Sequence, residues 1–251
     1  MKTLIIGKGK VGQATAQTLK TPVDFHDPYK GIVVTDFDCY DLIIVCVDSL
    51  QKNAHDHKDN EAVLDMLTAE DYKGIVALRS TVSPAFVQLW EQKYSLRFIM
   101  FPEFMKQTDD LKMDTPWIVV LGGPENEVKW MREYLLKYQY CSDPSMYHLT
   151  SRVESAIIKL CQNAGLGVKV IFYNMVHDIC KKFGASYDLV RHGVGADSRV
   201  GYQHSIVPSP DDGMQGFGGH CLPKDIRCLS SIETEHGFFT KLLEINKMLG
   251  R

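Results

Sequence analysis

No stretch of this chain reaches the eighteen or more uninterrupted apolar residues of a membrane span, and no C-x-x-C pair occurs among its seven cysteines. The first lack argues against a membrane partner. The second leaves zinc and disulfide frameworks with little support, because both need cysteines in matched sets. Net charge is only −3, from 28 basic and 31 acidic residues, and no dense Lys/Arg stripe appears. That removes the general positive field a nucleic-acid partner needs, so any anion has to be held by local groups. No cleavable leader is expected either, since Met1-Lys2-Thr3-Leu4-Ile5-Ile6 runs straight into a strand-like segment. The expectation is a cytoplasmic protein with no metal. At 251 residues it has room for one large domain or two smaller ones around a substantial core.

What is present begins with a glycine motif. The apolar residues 3–6 lead directly into Gly7-Lys8-Gly9-Lys10-Val11-Gly12, and the helix-prone Gln13-Ala14-Thr15-Ala16 follows. Strand, G-x-G-x-x-G turn and helix in that order form a dinucleotide-binding unit. Gly7 makes the tight turn, Gly9 lets the backbone approach a pyrophosphate, and Gly12 lets the helix pack on the sheet. The phosphates rest on the helix start at Lys10 and Val11. Asp27 falls twenty residues after Gly7, where a carboxylate can accept bonds from an adenosine ribose, which favours NAD over NADP. Lys30 is placed to neutralise an extra phosphate, but Asp27 would repel one.

Further apolar runs lie at residues 32–35, 42–47, 74–78, 98–101 and 118–121, continuous rather than alternating, as in parallel strands covered on both faces. Residues 59–70, 84–94 and 125–138 have helical composition, each near a cap such as Asp59, Ser83 before Pro84, or Pro124. The expected fold is α/β: a Rossmann-type doubly wound parallel sheet over 1–145, followed by a mainly helical second domain over 146–251. Its ligand would lie beyond the carboxyl ends of the strands, where Ser80-Thr81 and Pro102-Glu103 emerge. Ser80 and Thr81 read equally well as helix caps before Pro84.

In the second half, residues 151–183 read as one long helix or as two abutting ones around Gly165 and Gly167. Lys159 and Asn163, four apart, share a face with Asn174, and that polar stripe is either solvated or aimed at a ligand. The same segment carries more apolar residues than one helix face needs, among them Ile157, Leu160, Ile171 and Phe172, which predicts a homodimer through it. Cys46, Cys161 and Cys180 lie in apolar surroundings and read as core. Cys221 alone sits in a polar, glycine-rich setting, Gly218-Gly219-His220-Cys221-Leu222-Pro223-Lys224-Asp225. Its two readings are an exposed thiol at a helix N-terminus, where N–H groups favour a thiolate, and an ordinary buried cysteine after a glycine loop.

These motifs together resemble the UDP-glucose/GDP-mannose dehydrogenase family. The residues that carry the resemblance are Gly7 to Gly12, Ser80-Thr81-Val82, Pro102-Glu103-Phe104, Lys159 with Asn163 and Asn174, Asp197-Ser198-Arg199-Val200-Gly201, and Gly216 to Asp225. The resemblance implies oxidation of the C6 hydroxyl of a nucleotide-sugar substrate to a carboxylate with NAD, through a covalent cysteine intermediate. It implies Cys221 as nucleophile, Lys159 and Asn163 as oxyanion donors, Asp225 as the carboxylate near thiol and water, and Thr81 with Glu103 as the pair that positions and deprotonates water. Ser80 and Thr81 are also expected near the cofactor, and Phe104, Arg199, Gly218 and Lys224 at the substrate. Departures from the family pattern are Gln107, Ala156 and Met175 where glutamates are usual, Asp48-Ser49 in place of Thr-Pro, and an inserted Ser209-Pro210-Asp211-Asp212. A short form, without the family's further C-terminal domain, is the expectation from length.

Overall fold

The computed structural model describes residues 1–49, 56–104 and 117–251. Contacts group the chain into two compact units, Met1–Lys159 and Leu160–Arg251. The sequence places the change of domain at 145/146, whereas the contact boundary falls later, inside a long helix.

The first unit contains β1 (Thr3–Ile6), α1 (Lys10–Thr18), β2 (Asp24–His26), β3 (Leu42–Val45), α2 (Lys58–Ala69), β4 (Ile75–Leu78), α3 (Pro84–Lys93), β5 (Phe98–Met100), β6 (Val119–Gly122), α4 (Glu125–Lys137) and β7 (Tyr147–Thr150). The strands form one sheet in the order β2-β1-β3-β4-β5-β6-β7. Strand order reverses at β1, whose parallel neighbours are β2 and β3, so a crevice opens beyond the carboxyl ends of β1 and β3. The sheet is α/β and mostly parallel as expected, with one correction: β6 runs antiparallel to β5, pairing Gly122 with Met100.

Continuous hydrophobicity is explained by two cores. Leu4, Ile6, Ile43 and Val45 face one side with Leu64 and Trp90, while Ile5, Leu42 and Ile44 face the other with Met131 and Leu135. Alternate residues of each strand thus serve opposite layers, and each fully buried aliphatic side chain contributes about 1.5–3 kcal/mol. The strand expected at residues 32–35 does not form. Only Ile32 pairs, exchanging backbone bonds with Asp27 at 2.7 and 3.1 Å. Ser83 takes the N-cap position of α3 with Pro84 in the first turn, although its side chain makes no capping bond, and Pro124 precedes α4, but α2 starts after His57 rather than at Asp59.

A single helix, α5 (Arg152–Phe183), runs through the expected break. Gly167 lets α7 pack closely there, because a Cβ would lie 2.5 Å from Ile226 Cδ1 and push that side chain aside. Among the described residues, α5 alone is long and apolar enough by length and composition to cross a membrane, which counting uninterrupted runs overlooks. Its polar Asn163 and Asn174 are buried and hydrogen-bonded, as in a core helix. In the second unit α5 is followed by α6 (Tyr187–Gly195), α7 (Cys221–Ile232) and α8 (Phe238–Met248), the last two packed together.

Candidate active-site residues

In the first unit, the glycine turn is built by exclusion. A Cβ on Gly12 would sit 2.0 Å from Gly7 O, so only glycine lets α1 start this close to β1, whereas a Cβ on Gly9 would meet nothing within 4 Å. The first bond of α1 runs from Gln13 N to Gly9 O at 3.0 Å, leaving the N–H groups of Lys10, Val11 and Gly12 ahead of it. Open space over Gly9 beside those donors fits a dinucleotide pyrophosphate. Asp27 is largely buried; its Oδ2 accepts from Lys8 N at 2.8 Å, and Lys30 Nζ lies 3.8 Å away. The carboxylate therefore braces the glycine turn from the position where it would also meet a ribose.

At the ends of β3, β4 and β5, Ser80 Oγ donates to Val47 O at 2.6 Å and so ties β4 to the β3 terminus. Together with Ser83 in the N-cap position of α3, this sets aside the reading of Ser80 as a helix cap. Thr81 is buried beside it. Glu103 forms an ion pair with Arg79, whose guanidinium is fully buried and stacks on Phe101 at 4.2 Å and Tyr140 at 5.5 Å. Burial works against the Arg79 charge, and the Glu103 carboxylate more than restores it, leaving the guanidinium firmly protonated. Burial likewise pushes the thiol of half-buried Cys46 up to about 12. Phe104 is buried, with Lys159 Nζ 4.8 Å from its ring centre, so these two expected site residues meet. Ala156 lies in the apolar core with its side chain enclosed, which leaves no room for the family's usual glutamate. Gln107 lies outside the described residues.

In the second unit, Cys221 is exposed and is the first residue of α7, so the helix-start reading holds and the buried-cysteine reading does not. Asp225, one turn further along the same face, is completely buried. It accepts from Asn163 Nδ2 at 2.5 Å and from Lys224 Nζ at 2.5 Å. Three expected site residues are thereby joined, and Lys224 is engaged by the carboxylate. Arg199 is exposed and held in a fork by Asp197, with Nη2 to Oδ2 at 2.6 Å. Cys161, expected in the core, is exposed on α5, while Cys180 is buried as expected.

Sequence reasoning passed over three residues. Arg79 was visible only as a charge closing an apolar run. Asn246 of α8 accepts from Phe217 N at 2.7 Å and donates to Phe217 O at 3.0 Å, and Asn174 Oδ1 accepts from Gly216 N at 3.1 Å. Arg251 holds Asp212 through two bonds, at 2.5 and 2.7 Å, and Gln215 O at 2.9 Å. An asparagine in an amphipathic helix and an arginine beyond it give no local sign of such work.

Residues 153–248 match the family model described as the UDP-glucose/GDP-mannose dehydrogenase family, central domain. Among curated relatives, a UDP-glucose 6-dehydrogenase of Rickettsia prowazekii is 26% identical over 227 residues, 86% of this chain and 50% of that protein. The Bacillus subtilis UDP-glucose 6-dehydrogenase TuaD is 32% identical over 61% of this chain and 31% of its own. The chain spans about half the length of the curated relatives it matches, or less. Two solved structures share the fold. A UDP-glucose dehydrogenase of Pyrobaculum islandicum aligns with TM-score 0.76 at 20% identity, covering 99% of this chain and 68% of that one. A 3-hydroxyisobutyrate dehydrogenase of Mycobacterium tuberculosis aligns with TM-score 0.70 at 15% identity over the whole of both chains.

Proposed function

We propose that the chain is a nucleotide-sugar dehydrogenase that oxidises the C6 alcohol of a UDP- or GDP-sugar to the carboxylate, a reading supported by the match of residues 153–248 to the UDP-glucose/GDP-mannose dehydrogenase central domain. NAD, when bound, supplies the hydride acceptor for both stages. The N–H groups of Lys10, Val11 and Gly12 hold its pyrophosphate, with Asp27 toward the adenosine ribose and Ser80 and Thr81 nearby. The observation that carries the reading is Cys221 at the exposed start of α7, one turn from a carboxylate that Asn163 and Lys224 grip. In this reading the Cys221 thiolate adds to the aldehyde carbon from the first oxidation, giving a thiohemiacetal, and the second hydride loss gives a thioester. Lys159 and Asn163 donate to the oxyanion, a contribution of about 3 kcal/mol for one fixed donor. Water then cleaves the thioester, releasing the acid and returning the thiolate, and the family resemblance alone assigns Thr81 and Glu103 to that water. Phe104, Arg199 and Gly218 face the substrate, and the reducing cytoplasm keeps Cys221 a thiol.

The same reading makes the protein a homodimer. Of the residues expected to form the interface, Leu160 and Ile171 are instead buried within the chain, while Ile157 and Phe172 stay exposed, and Phe172, Met175, Ile179 and Phe183 recur on one exposed stripe of α5. A concentration-independent monomer by light scattering would remove that part.

The test supplies a panel of UDP- and GDP-sugars with NAD+ to the wild type and Cys221→Ser. Two NADH per sugar and loss of acid formation in the serine variant are expected, since serine is a poorer nucleophile and cannot form the thioester. A second reading, an NAD-dependent hydroxyacid dehydrogenase, is favoured by the Mycobacterium tuberculosis neighbour, which matches this chain from end to end. Its one-step hydride transfer needs no thiol, so one NADH per substrate with Cys221→Ser fully active would select it. NADH binding without turnover of any substrate would leave a regulatory module.

A further inference from the structure

The thiol of Cys221 gains from the start of α7 only if the helix starts where it does, and the preceding loop fixes that start. Several hydrogen bonds hold the loop, one of them between Gln215 Nε2 and His177 Nδ1 at 3.3 Å. Gly216 N is bound by Asn174, the main chain of Phe217 is bridged by the Asn246 amide, Gln215 O accepts from Arg251 Nε, and Asp212 takes both terminal nitrogens of Arg251. Asn174 and Asn246 are buried within helices, whereas Asp212 lies in the inserted stretch and is held only from Arg251 and by its own turn. Bonding to Arg251 keeps the Asp212 carboxyl below its usual range. The guanidinium also occupies the space beside Gly218, where a Cβ would fall 2.5 Å from Nη1 and 2.8 Å from Cζ. One planar group thus spans residues 212, 215 and 218 and stops three residues short of the nucleophile.

We propose that Arg251, clamped on Asp212, is a positioning residue for Cys221: it sets the glycine loop so that the helix start stays beneath the thiol. The fork is essential, because two parallel bonds to a carboxylate fix the plane of the guanidinium against Gly218, and a lysine ammonium cannot do so. Opening the clamp frees residues 212–219 and lets the first turn of α7 fray, which withdraws its N–H groups from the thiolate. The charged groups around Cys221 on its own helix are Lys224 and Asp225, with His220 before it, and the clamp adds Arg251 and Asp212.

This inference rests on Cys221 being the nucleophile of the proposed function, and its test does not use turnover. The rate of Cys221 alkylation by iodoacetamide is followed across pH by mass spectrometry of its peptide, which separates it from exposed Cys39 and Cys161. Arg251→Gln, Arg251→Lys and Asp212→Asn are each expected to slow Cys221 alkylation at pH 7 roughly two- to fivefold, the factor for withdrawing a helix start from a nearby anion. Gly218→Ala is expected to do the same and to add nothing on top of Arg251→Gln, because both act on one space. Lys241→Gln, which opens an exposed pair with Glu244 on α8, serves as the control. Charge acting at a distance predicts the opposite sign for Asp212→Asn, since an uncompensated Arg251 would favour the thiolate. Faster alkylation in Asp212→Asn overturns the proposal, as does an unchanged Cys221 alkylation rate in a destabilised Arg251→Gln. A wild type inert toward every nucleotide sugar would refute the function and leave this result standing.

Discussion

Replacing Glu103 by glutamine should cost more stability than replacing Arg79 by methionine, although the two side chains form one ion pair. The asymmetry follows from exposure: the Arg79 side chain is 1% exposed and that of Glu103 is 16%. Glu103→Gln removes the counter-charge while the guanidinium stays in the interior between Phe101 and Tyr140. Breaking a buried pair in this way costs about 3–5 kcal/mol. Arg79→Met removes the buried charge itself and keeps an unbranched chain against the two rings. Glu103 is then left near solvent, a loss of about 1–3 kcal/mol. At about 2–4 °C per kcal/mol for this size, Glu103→Gln should lower the melting temperature by roughly 6–20 °C. The double variant should be more stable than Glu103→Gln alone, because no charge then stays inside without its counter-ion. All three tryptophans, Trp90, Trp117 and Trp130, lie in the first unit, so their fluorescence in urea reports this unit without interference from the second. Glu103→Gln within about 1 kcal/mol of wild type, or Arg79→Met the less stable of the two, would show that the pair is not the buried charge centre described.

Two more outcomes follow from the same unit. Gly12→Ala drives a Cβ to 2.0 Å from Gly7 O, so it should destabilise by about 1–3 kcal/mol and abolish saturable NADH binding in a fluorescence titration; wild-type affinity would refute the turn geometry. His26 is buried, and that burial lowers its pKa from 6.5, with Val34 N donating to its Nδ1. The unfolded chain then takes up a proton first as pH falls, so stability should drop from about pH 6.5 down to the lower folded value and level off below it. Urea midpoints across that range should lose this slope in His26→Asn.

The glycine turn was readable because its signal is local: a strand, three glycines at set spacing and a helix in sequence. Asp27 followed from counting along the chain, and Cys221 from the polar company it keeps. Strand direction is not written in hydrophobicity, so β6 looked like its parallel neighbours. The run at residues 32–35 had strand composition, yet beyond Ile32 it makes no ladder, and the β7 strand Tyr147–Thr150 is half polar and was passed over. Gly165 and Gly167 seemed to weaken the middle of α5, but Gly167 is a packing site set by Ile226, 59 positions away in the chain. Arg79, Asn246 and Arg251 were hidden for the same reason. Each is defined by a partner more than twenty residues distant, and nothing next to it in sequence announces that partner.

Asp27 joins two tasks in one carboxylate. It accepts from Lys8 N inside the glycine turn and occupies the place from which a dinucleotide's ribose would be recognised. A lineage drifting toward a phosphorylated cofactor could not simply discard this acid, because the turn would lose its brace in the same step. Lys30, 3.8 Å from the carboxylate and half exposed, is tied in as well, since its Nζ donates to Lys8 O at 2.5 Å. Cofactor preference in this scaffold is therefore coupled to the integrity of the glycine turn, with the acid retained as an inherited constraint.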